Sequence, residues 1–396
     1  MMPGARVITI GCRLNQYYSQ LIREMLARAG YDVRGTEPEL VVVNACAVTG
    51  RAERDTRRAV RKALSGSKNV IVTGCPGNSI PDLGADVMGY EELARKLGIE
   101  MPEGISGFAG RARAYLRVQS GCDFSCAYCV VPRLRGPSAS RAFGEIAAEA
   151  ERLADAGFKE LIITGTQIGD WHEGKRNLAW LLAQLTKRIH GVRFRLSSVE
   201  PQYMGPDLID VMASAGWRIA DHLHLPLQSG SDRILMEMGR PYTLGEYEKK
   251  ARSAISAIPT LALGTDIIVG FPRETNENFN ETFSFLRDFP FAYAHVFSYS
   301  ARPGTRSFSL GEMPSAVVKE RVRSLLAVDR ANRLKFAESF IGEEMIVVGE
   351  RRKDGATLAT SGNYLRLRVR GLAPGCLARV RMTRMDEGEL VGACAE

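Results

Sequence analysis

The sequence predicts an α/β chain in three units. These are an N-terminal doubly wound parallel sheet over residues 1–102, a central partial (βα)6 barrel over 108–338, and a small antiparallel β-barrel over 339–396. Three observations predict this. An apolar strand followed by a turn with a cysteine occurs three times before residue 76. Strand and helix patterns then alternate through six further strands. Beyond Ile341 the texture changes to short alternating strands between glycine-containing turns.

The totals fit such a chain. At 396 residues it is long for one core, and 45% hydrophobic with 25% charged residues excludes a disordered or fibrous chain. Apolar runs such as Leu40–Val43 and Ile267–Val269 are strand-length, far short of the ~20 residues of a membrane span. A cytoplasmic protein with no membrane partner is expected. Its eight cysteines then favour ligands over disulfides, and the formal charge of +8 suits a polyanionic partner.

In the N-terminal unit, Arg6–Ile10 leads to Gly11-Cys12, Leu40–Val43 to Asn44-Ala45-Cys46, and Val70–Thr73 to Gly74-Cys75. Helices are expected from about Ser19 to Ala29 and from Ala52 to Leu64, after the first two strands. In parallel sheets functional groups gather beyond the carboxyl ends of the strands. Cys12, Cys46 and Cys75 all fall there and can converge as three ligands of an iron–sulfur cluster. A single cysteine at a strand end would be ordinary packing. Three at equivalent positions favour the cluster.

A helix near Glu91–Lys96 and a glycine-rich linker over Met101–Gly110 lead into the central unit. Its strands are expected near Tyr115–Gln119, Glu160–Thr164, Arg193–Ser197, His222–Leu227, Leu261–Val269 and Tyr293–Tyr299. Helices are expected near Arg141–Ala156, Leu178–His190, Pro206–Ala215, Leu244–Ile258 and Asn278–Asp288, with Leu325–Phe336 closing the unit. Six βα units are too few for a closed eight-stranded barrel, hence the partial one.

After the first of these strands comes Cys122-Asp123-Phe124-Ser125-Cys126-Ala127-Tyr128-Cys129. Three thiolates at this spacing can wrap one iron–sulfur cube and leave its fourth iron free to chelate a small molecule. A zinc site would need a fourth Cys or His, and none follows Cys129 before His172. Other strand ends face the same mouth with polar sequence: Thr166 and Gln167 after the second strand, Ser197 and Glu200 after the third, Gln228 after the fourth, and Asp266 beside Gly264 in the fifth. Together they offer a carboxylate for a cation, ribose partners and backbone amides, which makes them candidates for binding an adenosyl cofactor.

The C-terminal unit is read as strands Met345–Val348, Thr357–Thr360, Tyr364–Val369, Leu377–Arg381 and Glu389–Gly392. Such small barrels bind oligonucleotides. Arg366, Arg368, Arg370, Arg379, Arg381 and Arg384 would give a basic face on which Tyr364 could stack a base, although alternating arginines also describe a solvated strand. Cys376 and Cys394 match no ligand spacing and are read as packing residues.

The three-cysteine loop, with aromatic Tyr128 before its last cysteine, resembles the radical S-adenosylmethionine (SAM) superfamily. The resemblance implies that the open iron holds SAM and that one electron from the cluster splits it to a 5′-deoxyadenosyl radical. Essentially the whole chain resembles the methylthiotransferase family. Gly11–Tyr17 and Val43–Thr49 are most similar to the branch acting on N6-threonylcarbamoyladenosine beside the tRNA anticodon. Ala45-Cys46-Ala47 departs from that branch's usual Thr-Cys-Thr, and Pro272-Arg273-Glu274 from a common Pro-Gly-Glu.

The resemblance implies two 4Fe–4S clusters, one held by the catalytic Cys122, Cys126 and Cys129 and one by Cys12, Cys46 and Cys75. It implies two SAM per turnover, one to methylate sulfur and one to remove the hydrogen at C2 of the adenine. It also implies a TRAM-like final barrel that holds tRNA, and a low-potential donor such as flavodoxin or ferredoxin. The sulfur donor stays open. So do three other readings: a methylthiotransferase for isopentenyladenosine, one for a ribosomal protein, and a non-catalytic iron–sulfur sensor that binds RNA.

Overall fold

The computed structural model describes residues 2–34, 38–67, 69–75, 83–386 and 388–395. Strands β1 (Ala5–Thr9), β2 (Leu40–Ala45), β3 (Asn69–Gly74) and β4 (Asp86–Val87) form one parallel sheet in chain order. Helix α1 (Arg13–Arg28) buries Leu14, Tyr17, Leu21 and Ile22 in the same core as Val42 and Ile71. Helix α2 (Gly50–Leu64) buries Val60 and Ala63 with Val41, Val43, Val70 and Val72, on the other face. Helices on both faces match the expectation, but the strand order never reverses. The carboxyl ends of β1, β2 and β3 therefore lie side by side along one edge, and among the described residues no switch-point crevice forms. Helix α1 starts at Arg13 and not near Ser19, because Leu14, Tyr17 and Tyr18 already belong to its buried stripe.

After α3 (Tyr90–Lys96), residues 101–110 form neither helix nor strand, yet they are pinned. Ile105 N–H donates to Glu149, Ser106 N–H to Glu24 and Ala109 N–H to Gln20. One continuous apolar core runs from α1 across this segment into the central unit, with Ile105 and Phe108 inside it.

The central strands are β5 (Ala114–Arg117), then β8 (Glu160–Thr164), β9 (Arg193–Leu196), β10 (His222–His224), β11 (Ala262–Val269) and β12 (Tyr293–Ser298). Between β5 and β8 a short antiparallel pair, β6 (Gln119–Ser120) and β7 (Ala139–Ser140), flanks helix α4 (Val131–Arg135). Strands β5-β8-β9 and β10-β11-β12 are two parallel sheets, bridged at Ser198 and His224, which gives the expected six-stranded open barrel. Its outer helices are α5 (Phe143–Asp155), α6 (Leu178–Arg188), α7 (Pro206–Ser214), α9 (Leu244–Ala257) and α10 (Asn276–Asp288). Helix α8 (Asp232–Met238) was not foreseen, nor was α4, since neither is long enough to show a 3.6-residue period. The closing helix α11 (Ser315–Glu338) is longer than its apolar pattern suggested. Among the described residues no helix is long and apolar enough to cross a membrane.

Strands β13 (Glu344–Lys353), β14 (Ala356–Ser361), β15 (Arg366–Arg370), β16 (Leu377–Asp386) and β17 (Glu389–Cys394) close into a barrel in the order β13-β14-β15-β17-β16. The expectation of a wholly antiparallel barrel is corrected here: β15 and β17 are parallel. Strand directions cannot alternate all the way round an odd-numbered ring, so a five-stranded barrel must contain a parallel pair. Cys376 and Cys394 are exposed, which corrects their reading as packing residues.

The barrel is built into the central unit. Arg193 donates to the carbonyls of Ile346 and Thr360, and Arg195 to those of Ser361 and Gly362. Both arginines and Arg113 surround the fully buried Glu160. Burial alone would raise the Glu160 carboxyl, but the three guanidiniums hold it well below the usual carboxylate range.

Candidate active site

The three-cysteine loop is a lasso closed by β6 and β7. Gly121, just before Cys122, has φ +79°, and a Cβ there would lie 1.7 Å from the Pro137 carbonyl oxygen, so only glycine fits. Cys122 N–H donates to the Gly136 carbonyl, and Ala127 N–H to that of Met238 at the end of α8. Gln119 ties the lasso to the next strand: its Nε2 donates to the carbonyls of Ser120 and Gly121, and its Oε1 accepts from the N–H groups of Thr166 and Gln167. Tyr128, before the last cysteine, packs with Ile234, Met238 and Phe271. Burial pushes the Cys129 thiol up to about 12 and also raises Cys122.

The structure brings several predicted side chains to this loop. The Cys122 thiol donates to Gln167 Oε1 at 3.1 Å. Gln167 Nε2 and Thr166 Oγ1 are buried with no partner among the described residues, which is what a polar ligand at the loop would satisfy. Glu200 pairs with Arg240, whose Nη1 lies 3.4 Å from the Cys126 sulfur. Burial raises the Glu200 carboxyl even with Arg240 beside it. Gln228 has a left-handed backbone (φ 73°) that lets its N–H and C=O bond to Asp266 and Ile268. Ser197 is buried at the end of β9.

Asp266 is engaged otherwise than expected. Its carboxylate accepts from His224 at 2.9 Å and His295 at 3.2 Å, and His224 Nδ1 meets the Tyr293 hydroxyl at 3.0 Å. Burial would raise Asp266, but these two imidazoles hold it well below the carboxylate range.

The other triad lies at the edge of the N-terminal sheet, each cysteine following its strand as expected. Gly11 has φ +103°, and a Cβ on it would sit 2.9 Å from the Cys46 sulfur. The Cys75 thiol donates to Asn15 Oδ1 at 3.9 Å, and its closeness to Cys46 lowers the Cys46 thiol to about 6 and raises that of Cys75. Cys12 and Cys75 are close enough to interact electrostatically. Cys46 and Cys75 are thus neighbours, and Cys12 leaves the same sheet edge within electrostatic range of Cys75.

Sequence reasoning missed the piece that joins the triads. Cys129 is followed directly by α4, whose Leu134 packs into the core under β2 and β3. Arg135 Nη2 donates to Asn15 Oδ1 at 2.6 Å, with Cys12 and Cys75 in its field. Arg302, from the turn after β12, bonds to the Ala47 carbonyl and Glu53 beside Cys46. Arg240 was missed too, although Gly239 at the left-handed C-cap of α8 (φ 72°) is a signal that the next residue turns back toward the loop. Arg273, where the resemblance expects glycine, sits at φ 68°. The left-handed backbone explains that glycine. The adjacent Glu274 is fixed by Arg321 and the Gly270 N–H.

Tyr364 is not on the basic face where it was placed. It sits in a left-handed turn before β15, half-buried, its hydroxyl accepting from Arg13 at 3.0 Å and its ring 4.6 Å from that of His222.

Residues 116–286 match the family model described as the radical SAM superfamily, and residues 5–83 match that of uncharacterized protein family UPF0004. Among solved structures, the radical SAM methyltransferase TsrM from Kitasatospora setae shares the fold, with a TM-score of 0.58 and 14% identity over 78% of this chain and 75% of that one. Loop, open barrel and family match together define an enzyme of the radical SAM class, which uses an iron–sulfur cluster and SAM.

Two relatives narrow the class. The threonylcarbamoyladenosine tRNA methylthiotransferase MtaB of Bacillus subtilis is 31% identical, covering 97% of this chain and 95% of its own. The protein of that name from Aquifex aeolicus is 35% identical, covering 87% and 92%. The chain belongs to this MtaB-type family of tRNA methylthiotransferases.

Proposed function

We propose that the protein adds a methylthio group to C2 of N6-threonylcarbamoyladenosine beside the tRNA anticodon, using two 4Fe–4S clusters and two SAM per turnover. The single observation that carries this is the joining of two thiol triads by α4: the loop of Cys122, Cys126 and Cys129 leads into Arg135, which bonds to Asn15 and whose charge acts on Cys12 and Cys75. In this reading Cys122, Cys126 and Cys129 would hold the cluster that would supply the electron for SAM cleavage, and Cys12, Cys46 and Cys75 would hold one that would carry the sulfur. The residue roles are as follows. Thr166 and Gln167 offer SAM the polar atoms left unpartnered, and Glu200 holds Arg240 against Cys126. Ser197, Gln228 and Asp266 complete the rim of the SAM site, Asp266 through its two histidines. Arg135 and Arg302 offset the negative charge of the strand-end thiolates.

The units 1–102, 108–338 and 339–396 then divide sulfur delivery, radical generation and tRNA binding, in a cytoplasmic protein that draws electrons from a flavodoxin or ferredoxin. Nucleoside mass spectrometry of tRNA from a deletion strain tests this. The 2-methylthio form of N6-threonylcarbamoyladenosine should vanish and the unthiolated form accumulate. Loss of a methylthio group from isopentenyladenosine instead would overturn the choice of substrate.

A further inference from the structure

Most of the buried and half-buried arginines around the site have a carboxylate partner. Arg113 and Arg195 have Glu160, Arg240 has Glu200, Arg302 has Glu53, and Arg321 has Glu274. Arg135 faces the strand-end thiols, and Arg117 lies over the rings of Tyr17 and Tyr18. Arg13 is different. It directly follows Cys12 and is half-buried, and among the described residues no carboxylate pairs with it. Its Nη2 donates to the Tyr364 hydroxyl and its guanidinium lies over the Tyr364 ring, with no other hydrogen bond of the fork among the described residues.

The position matters as much as the missing partner. Arg13 starts at the strand-end triad and reaches toward the open barrel, where its charge acts on Tyr115, His222 and Tyr293. Tyr364 comes from the C-terminal barrel, so all three units meet at this guanidinium. The surroundings are aromatic and positive: burial alone would raise the Tyr364 phenol, yet Arg13, Arg113, Arg195 and Arg366 hold it below its ordinary value. Beside it, Tyr293, His295, Tyr364 and Arg366 border a cavity of about 540 Å³ between β12, α11 and the C-terminal barrel.

We propose that Arg13, seated by Tyr364, is a specificity contact that binds a carboxylate on the N6 substituent of the substrate adenine. The inference rests on the reading under Proposed function and deepens it, since a threonylcarbamoyl group ends in a carboxylate and an isopentenyl group has none. A guanidinium fork matches a carboxylate in two parallel hydrogen bonds, and a site short of one negative charge is completed by the correct substrate and left unbalanced by an uncharged one.

The test uses the full chain with reconstituted clusters and two anticodon stem-loop RNAs. One carries N6-threonylcarbamoyladenosine, and the other the same nucleoside with its carboxylate capped as the methyl amide. The wild type should prefer the carboxylate RNA in kcat/KM by about 10- to 100-fold, as expected for a charge-assisted hydrogen bond lost. Arg13→Gln should bring that ratio close to one, while Arg13→Lys should keep part of it. A merely structural lesion lowers both RNAs alike and leaves the ratio, so an unchanged ratio in Arg13→Gln overturns the proposal. A wild type that converts both RNAs equally overturns it too, while upholding the substrate reading. Failure to convert either RNA overturns that reading, and the proposal with it.

Discussion

The two thiol triads are held by different means. Cys122, Cys126 and Cys129 share one short loop, and what fixes them is local: an obligatory glycine at Gly121, the β6–β7 clamp, and the side chain of Gln119. Cys12, Cys46 and Cys75 are distant in sequence and are fixed by sheet register, which sets Ile8, Val43 and Val72 abreast so that the three cysteines leave the same sheet edge. A loop triad depends on a few neighbouring residues. A strand-end triad depends on the whole sheet, and its nearest outside support, Arg135, comes from the other triad's loop.

The largest expected effect separates the two by chemistry. Cys126→Ala should abolish release of 5′-deoxyadenosine from SAM and reductant, a loss on the order of 1,000-fold or more, because the remaining pair of thiolates cannot hold a cube with one open iron. Cys75→Ala should still release it. Equal loss in both would mean that the triads are not functionally distinct.

A second measurement, of iron and sulfide after reconstitution, concerns independence. Cys46→Ala should lose about half of the wild-type iron, and the triple alanine variant of Cys12, Cys46 and Cys75 no more than that, if each triad holds one cluster of equal size. Retention of the full iron content by the triple variant would remove the second site altogether.

The link between the triads should show in coupling. Arg135→Met loses its hydrogen bond to Asn15 and the charge near Cys12 and Cys75. Product formed per 5′-deoxyadenosine should fall by roughly tenfold, the scale of one hydrogen bond to a charged group. An unchanged ratio would make α4 a structural spacer only.

The same contrast explains what the sequence could reveal. The loop triad was legible outright, because spacing within a loop is a property of sequence. The strand-end triad was legible through topology: three strand–turn–Cys repeats imply one edge. What escaped was every residue whose role depends on a partner far along the chain. Arg13, Arg135 and Arg240 read as ordinary surface charges until Tyr364, Asn15 and Glu200 are placed opposite them. The parallel β15–β17 pair and the exposure of Cys376 and Cys394 were likewise hidden, since alternation along a strand says which residues face inward and not which strand lies beside it. Asp266 was placed near the cofactor because Gly264 beside it interrupts the strand, but its two histidines come from neighbouring strands, His295 on β12 directly opposite it and His224 on β10 opposite Gly264.

The smallest effect concerns the C-terminal barrel, which serves both triads if it holds the tRNA. Deleting it would be a poor test: Arg193 and Arg195 would lose four carbonyl partners, and the Glu160 cluster would be opened to water. Point changes on its outer face avoid this. Along β15, Leu367 and Val369 face the core, while Arg366 and Arg370 are exposed and have no carboxylate partner among the described residues. Arg379 and Arg381 share Glu344, and Arg384 lies near Asp386, so part of their charge is already offset. Arg370→Ala should therefore weaken tRNA binding a few-fold and lower the slope of log affinity against log salt by about 0.7–0.9, the value for one phosphate contact. Arg381→Ala should change the slope less, because Glu344 competes with phosphate for that guanidinium. If the two variants flatten the salt dependence equally, the ion pair with Glu344 does not persist beside RNA. If neither does, the basic face is a solvated strand surface, and tRNA is held elsewhere.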